Sequence, residues 1–143
     1  MVLAEAVPRH AQRLYQLLDE AKLDPHLYER LVAAEEAIYS SESDAMVNWD
    51  ASTLQATFEA AHMAIEMIVE RSSTQMYISP ALIARWFAVT ATGEERPTYA
   101  QHLARFLEGS EIAAVQDIFT CSLLHQTVTW TTTIAFMKVK ATK

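Results

Sequence analysis

Hydrophobic residues along this chain recur mostly at steps of three and four, the period of one face of an α-helix. Between Ala4 and Lys22 the stripe is Leu14, Leu17, Leu18 and Ala21, which predicts a first helix whose regular part starts near Pro8. Asp24-Pro25 signals a second start, because Asp24 can accept from the free amides of the next turn and proline fits the first helical position. That helix is predicted to reach about Tyr39, with Leu27, Leu31, Ala34 and Ile38 on one face. A third is predicted from Asp50 or Ser52 to about Arg71, on the seam Leu54, Phe58, Ala61, Ile65 and Ile68. Its other faces carry Ala56, Ala60, Met63, Ala64 and Met67, so it reads as surrounded by neighbours.

Ser79-Pro80 repeats the capping signal and opens a fourth helix, expected to end before Gly93. Pro97 opens a fifth, predicted to run to Glu108 and to stop at Gly109. Ser110 then caps a sixth, with Ile112, Val115, Ile118, Phe119 and Leu123 on its stripe. The tail is rich in β-branched and aromatic residues, which favour a strand. Val128, Trp130, Ile134 and Phe136 share one face at period two, yet Phe119, Leu123, Gln126, Trp130, Ile134 and Met137 also continue a helical stripe. As a strand, the tail would pair with Thr74 to Ile78 or with its own copy in a second subunit. The expected fold is mainly α: a single helical bundle of about six helices over residues 1–143, with a C-terminal strand over 127–137 as the one open element.

Composition supports helices. In 143 residues there are 2 glycines and 4 prolines, few for the turns of a sheet-rich fold, and 51% are hydrophobic, enough for a core without metal or disulfide. A net charge of -7 disfavours binding to phosphate backbones, so nucleic acid is not an expected partner. The N-terminus does not read as a signal peptide, and no stretch has the roughly 18 apolar residues of a membrane span. A cytoplasmic protein is expected. The lone Cys121 excludes an internal disulfide and, among Phe119, Leu123 and Leu124, reads as a buried structural thiol.

Candidate chemistry concentrates in Glu59, His62, Glu66 and Glu70, which recur at helical spacing. Glu59-Ala-Ala-His62 on one helix, with a carboxylate from Glu29, Glu35 or Glu36 on the helix before it, resembles half of a ferritin-like site. The resemblance covers about residues 25 to 71 and implies iron or another divalent metal. The metal ligands would be Glu59, His62, Glu66, Glu29 and Glu36. No second Glu-x-x-His follows Arg71, so a complete site would need the same helix pair from a twin subunit. A hemerythrin-like set fails for want of His-x-x-x-His, and His-Glu-x-x-His zinc hydrolases are excluded by residue order. Leu103 to Val115 has the outline of a helix-turn-helix, but its second helix offers no Arg or Lys to DNA.

Read without a metal, the glutamates form the solvated edge of an amphipathic helix, with no cofactor. The leading expectation is a non-catalytic, self-associating interaction protein that binds another protein. Its homodimer interface would use Met63, Met67, Trp130, Ile134 and Phe136. The metal protein assembled across a dimer is the rival. A third expectation is a pocket for an apolar small molecule, lined by Trp49, Trp86, Trp130, Met46, Met63, Met67 and Met76.

Overall fold

The computed structural model describes residues 1–89 and 96–142, which are 46% helical and 26% strand. The fold is mixed rather than mainly α, and a three-stranded sheet takes the place of much of the expected bundle. Strand β1 (Val2–Ala6) comes first, followed by three short 3-10 turns at Pro8–His10, Leu14–Leu17 and Glu20–Lys22. Then come α1 (Pro25–Ser40), α2 (Ala51–Ala60), β2 (Met63–Tyr77), α3 (Pro80–Trp86), α4 (Tyr99–Leu103), α5 (Gly109–Leu123) and β3 (Thr127–Ala141). The strands lie in the order β1-β3-β2.

The capping signals fix several elements. The Asp24 carboxylate accepts from the Leu27 amide at 2.9 Å, and α1 begins at Pro25. Ser79 accepts from Leu82 at 3.1 Å ahead of Pro80, and Asp50 accepts from Thr53 at 2.9 Å ahead of α2. Gly109 does not end a helix; it opens α5, capped by Glu108 and Glu111. The fourth predicted helix ends at Trp86, and its expected continuation past Val89 lies outside the described residues. The first predicted helix does not form. Its Leu14 and Leu17 sit three apart on a 3-10 turn, where that spacing also aligns side chains.

The largest departure is the predicted helix to Arg71, which stops at Ala60. His62 then adopts φ 56°, and the chain continues as β2. A left-handed residue ends a helix, a place usually written with glycine. His125 does the same at φ 62° between α5 and β3. Beyond each histidine the strand carries several β-branched residues (Ile, Val or Thr) and aromatics, which suit a pleated surface. Replacing His62 with glycine is expected to leave urea stability unchanged or raise it by up to about 1 kcal/mol. His62→Val, β-branched at a positive φ, is expected to lower it by roughly 1–2 kcal/mol.

The chain divides into two compact units, Met1–Gln12 with Tyr39–Thr74 and Trp130–Lys143, and Arg13–Ile38 with Gln75–Thr129. In the first, Ala135, Met137 and Val139 of β3 are buried with Val7, and Leu3, Ile65 and Met67 pack on them with Trp49, Leu54 and Phe58. The buried face of β3 is therefore the alternate of the Val128–Phe136 face that the sequence suggested. In the second unit, Leu31, Ile78, Leu103, Val115 and Phe119 are fully buried. Its rings meet edge to face, with Phe119 5.5 Å from Phe87 and 6.1 Å from both Trp86 and Tyr99.

Candidate functional site

The expected metal ladder does not assemble. With α2 ending at Ala60, Glu59 lies on a helix, His62 in a turn and Glu66 and Glu70 on a strand, so the shared helical face is gone. The side chains have other partners. Glu59 accepts from Gln55 at 2.8 Å, Glu66 pairs with Lys140 at 3.5 Å, and Glu36 pairs with Arg13 at 3.0 Å. Glu29 lines a hollow of about 600 Å³ with Asp19, Glu20 and Tyr28. Among the described residues no three His, Cys, Asp or Glu side chains are grouped to hold a metal ion. The aromatic and methionine residues suggested for an apolar pocket are largely packing: Trp86 and Met76 join one core, Trp49 and Met67 the other. Cys121 is exposed rather than buried. Among the described residues no helix is long and apolar enough to cross a membrane.

Of the three α1 carboxylates weighed for a metal, the second unit buries Glu35. Glu35 is 1% exposed. Its oxygens accept from the Leu14 amide at 2.5 Å, the Tyr15 amide at 3.1 Å and the Tyr99 hydroxyl at 2.7 Å. Burial raises its pKa, outweighing the donors that favour the charge. Beside it Glu36 is held low, against its own desolvation, by Arg13 and by the Tyr15 hydroxyl at 2.9 Å. Burial and the bond to Glu36 push the Tyr15 hydroxyl up to about 12. The group works as a clasp: Glu35 caps the free amides of the Leu14–Leu17 turn and ties that turn and α4 to α1. A trace of it was visible in the sequence, since Glu35 follows Leu31 by four and so shares the buried face of α1.

A second clasp joins α1 to α5 in the same unit. Arg30 grips Glu111 through two nitrogens at 2.6 and 2.8 Å. Arg30 and the Glu108 amide draw the Glu111 pKa down to about 2. A depressed carboxylate adds stability that is present above its unfolded pKa and is lost as pH falls through the folded one. Glu111→Gln is therefore expected to flatten the acid limb of a stability-versus-pH scan between about 4.5 and about 2.

The first unit presents the other candidate, the outer face of its sheet. Even-numbered residues stand on it. Val2 is 79% exposed, Ile68 65% and Phe136 41%, with Ile134 half-buried between strands. β1 pairs antiparallel with β3, placing Val2 opposite Lys138, Ala4 opposite Phe136 and Ala6 opposite Ile134. On the other side Ser73 bonds Thr131 across the strands, and Thr142 donates to the His62 carbonyl. Equal numbers of residues separate these anchors, so Ile68 falls opposite Phe136 and Glu70 opposite Ile134. Trp130, Ile134 and Phe136 of the expected interface are thus on this face. Met63 and Met67 are on the opposite one, where Met67 packs into the core. The free edge of β2 has no partner strand among the described residues.

Neither a protein-family model, nor a curated protein, nor a solved structure matches this chain. Its class rests on its own geometry: helices and a three-stranded antiparallel sheet.

Proposed function

We propose that this is a non-catalytic interaction protein that self-associates and binds another protein. The observation that carries the reading is the concentration of exposed apolar side chains on one sheet. Among the described residues ten large hydrophobic side chains are exposed, and three of them, Val2, Ile68 and Phe136, stand on the outer face of its three strands. Isolated exposed hydrophobics need no explanation, but a contiguous group marks a contact surface. Full burial of such a side chain is worth about 1.5–3 kcal/mol, so covering Val2, Ile68 and Phe136 gains several kcal/mol. Association costs about 4 kcal/mol or more, so a weak, concentration-dependent dimer is expected rather than an obligate one.

The clasps support the same reading. Glu35, the most buried carboxylate among the described residues, is committed to two backbone amides and a tyrosine hydroxyl, which is an architectural use. Light scattering on a sizing column over a range of concentrations tests the proposal. Self-association that Phe136→Glu abolishes is the expected result. A monomer at every concentration, with Phe136→Glu indistinguishable from it, would count decisively against self-association.

A further inference from the structure

We infer that the outer sheet face is a docking site for a second copy of this chain, packed face to face about a two-fold axis between Ile68 and Phe136, with Lys138 of each copy opposite Glu70 of the other. The inference rests on the proposed self-association and names its surface and register. Two features of the face carry it. The first is charge. Glu66 is paired with Lys140 at 3.5 Å, but neither Lys138 nor Glu70 makes an ion pair among the described residues. The two unpaired charges have opposite sign and lie on the same face. They sit on either side of the Ile68–Phe136 row, Lys138 two residues beyond Phe136 along β3 and Glu70 two residues beyond Ile68 along β2.

The second feature is the layout that follows from strand geometry. Neighbouring strands lie about 4.8 Å apart, and successive residues on one face about 6.8 Å apart. On that grid an in-plane two-fold that exchanges the Lys138 and Glu70 positions must pass midway between Ile68 and Phe136. It brings Phe136 over Phe136 of the second copy, Ile68 over Ile68, and Val2 close to Ile134. Apolar groups meet apolar groups, and both unpaired charges find partners, twice over by symmetry. The same axis lays the two sets of strands antiparallel and oblique, close to the roughly 30° of aligned sheets packed about 10 Å apart. Lysine and glutamate side chains are long enough to bridge that gap together. An arrangement with the axis along the strands would leave Lys138 and Glu70 apart.

Charge reversal tests this directly. In sedimentation of the full chain, Lys138→Glu and Glu70→Lys are each expected to weaken the dimer by about tenfold or more, since each places like charges together on both sides of the axis. The double variant, with both charges exchanged, is expected to return to within about threefold of the wild type. Both positions are on the surface, and unchanged circular dichroism confirms that each of the three variants is folded. A wild-type dimer that both single reversals leave intact, or that the double variant fails to restore, overturns the two-fold register while self-association stands. A monomeric wild type overturns both.

Discussion

Phe119→Ala is expected to lower stability by about 3–5 kcal/mol, the largest effect of any single truncation in this chain. Phe119 is fully buried at the centre of the second unit, where Trp86, Phe87 and Tyr99 all meet it edge to face. Removing it takes away the transfer free energy of the ring and leaves a cavity that three other rings cannot fill without leaving their own rotamers. Each of those ring pairs adds roughly 0.5–1.5 kcal/mol beyond area burial. A typical domain has only 5–15 kcal/mol in total, so the variant should be strongly shifted in urea or should accumulate unfolded at 37 °C. Phe119→Leu keeps most of the volume and is expected to cost less than half as much.

Glu35→Ala should be the second most damaging change, at about 3 kcal/mol. It leaves the Leu14 and Tyr15 amides and the Tyr99 hydroxyl without their acceptor, and each buried donor left unsatisfied costs about 1–3 kcal/mol. Relief from burying a charge offsets part of that. Glu35→Gln keeps the shape and one acceptor, so its cost is expected to be smaller. The pH dependence has a definite sign. Burial raises the Glu35 pKa in the folded state, so the folded protein holds that proton more tightly than the unfolded chain. Stability contributed by Glu35 is therefore greatest when it is protonated and declines as pH rises through the folded pKa. Compared with Glu35→Gln, the wild type should gain ground on acidification, opposite to the trend at Glu111. Urea denaturation of both proteins from pH 7 downward measures the difference.

Local signals carried some elements accurately and could not carry others. Asp24-Pro25 and Ser79-Pro80 encode helix starts within four residues, and both helices begin at those prolines. The Val115–Phe119–Leu123 stripe of α5 is likewise a local pattern, and all three residues are buried. The tail over 127–141 is a strand, as its threonines and aromatics favour, and it pairs with β2. β2 itself was hidden. Leu54, Phe58, Ala61, Ile65 and Ile68 keep helical spacing straight through the point where the helix ends, because Ile65 and Met67 also alternate as a strand requires. The stop that decides between them is His62, a residue that carries no helix-ending signal of its own. The fate of residues 63–77 depends on pairing with a segment some sixty residues later, a tertiary choice that a short window does not contain. The same non-locality concealed the clasp. Glu35 finds its donors 20, 21 and 64 residues away.

For the surface, the sequence named Trp130, Ile134 and Phe136 at period two but could not tell which face of the strand turns inward. Once β1 and β2 flank β3, the inward face is the one with Ala135, Met137 and Val139, and Phe136 is left exposed with Trp130 and Ile134 half-buried. Glu70 and Lys138 gain significance only then, because only the sheet puts residues from two distant strands side by side. An edge strand and a bare apolar face are also aggregation hazards. Glu66, Glu70, Lys138 and Lys140 around the apolar row restrict what can dock there.

Crosslinking across the two-fold axis tests the central claim most directly. In a Cys121→Ser background, which removes the native exposed thiol, Ile68→Cys is placed beside the axis and Ser41→Cys serves as a control outside the sheet. A short bis-maleimide is expected to join the Ile68→Cys chains into a covalent dimer in high yield and to leave Ser41→Cys largely monomeric. Equal crosslinking at the two positions, or no crosslinking of the Ile68→Cys chains at concentrations where sedimentation shows that variant to be dimeric, would contradict the outer sheet face as the site of association.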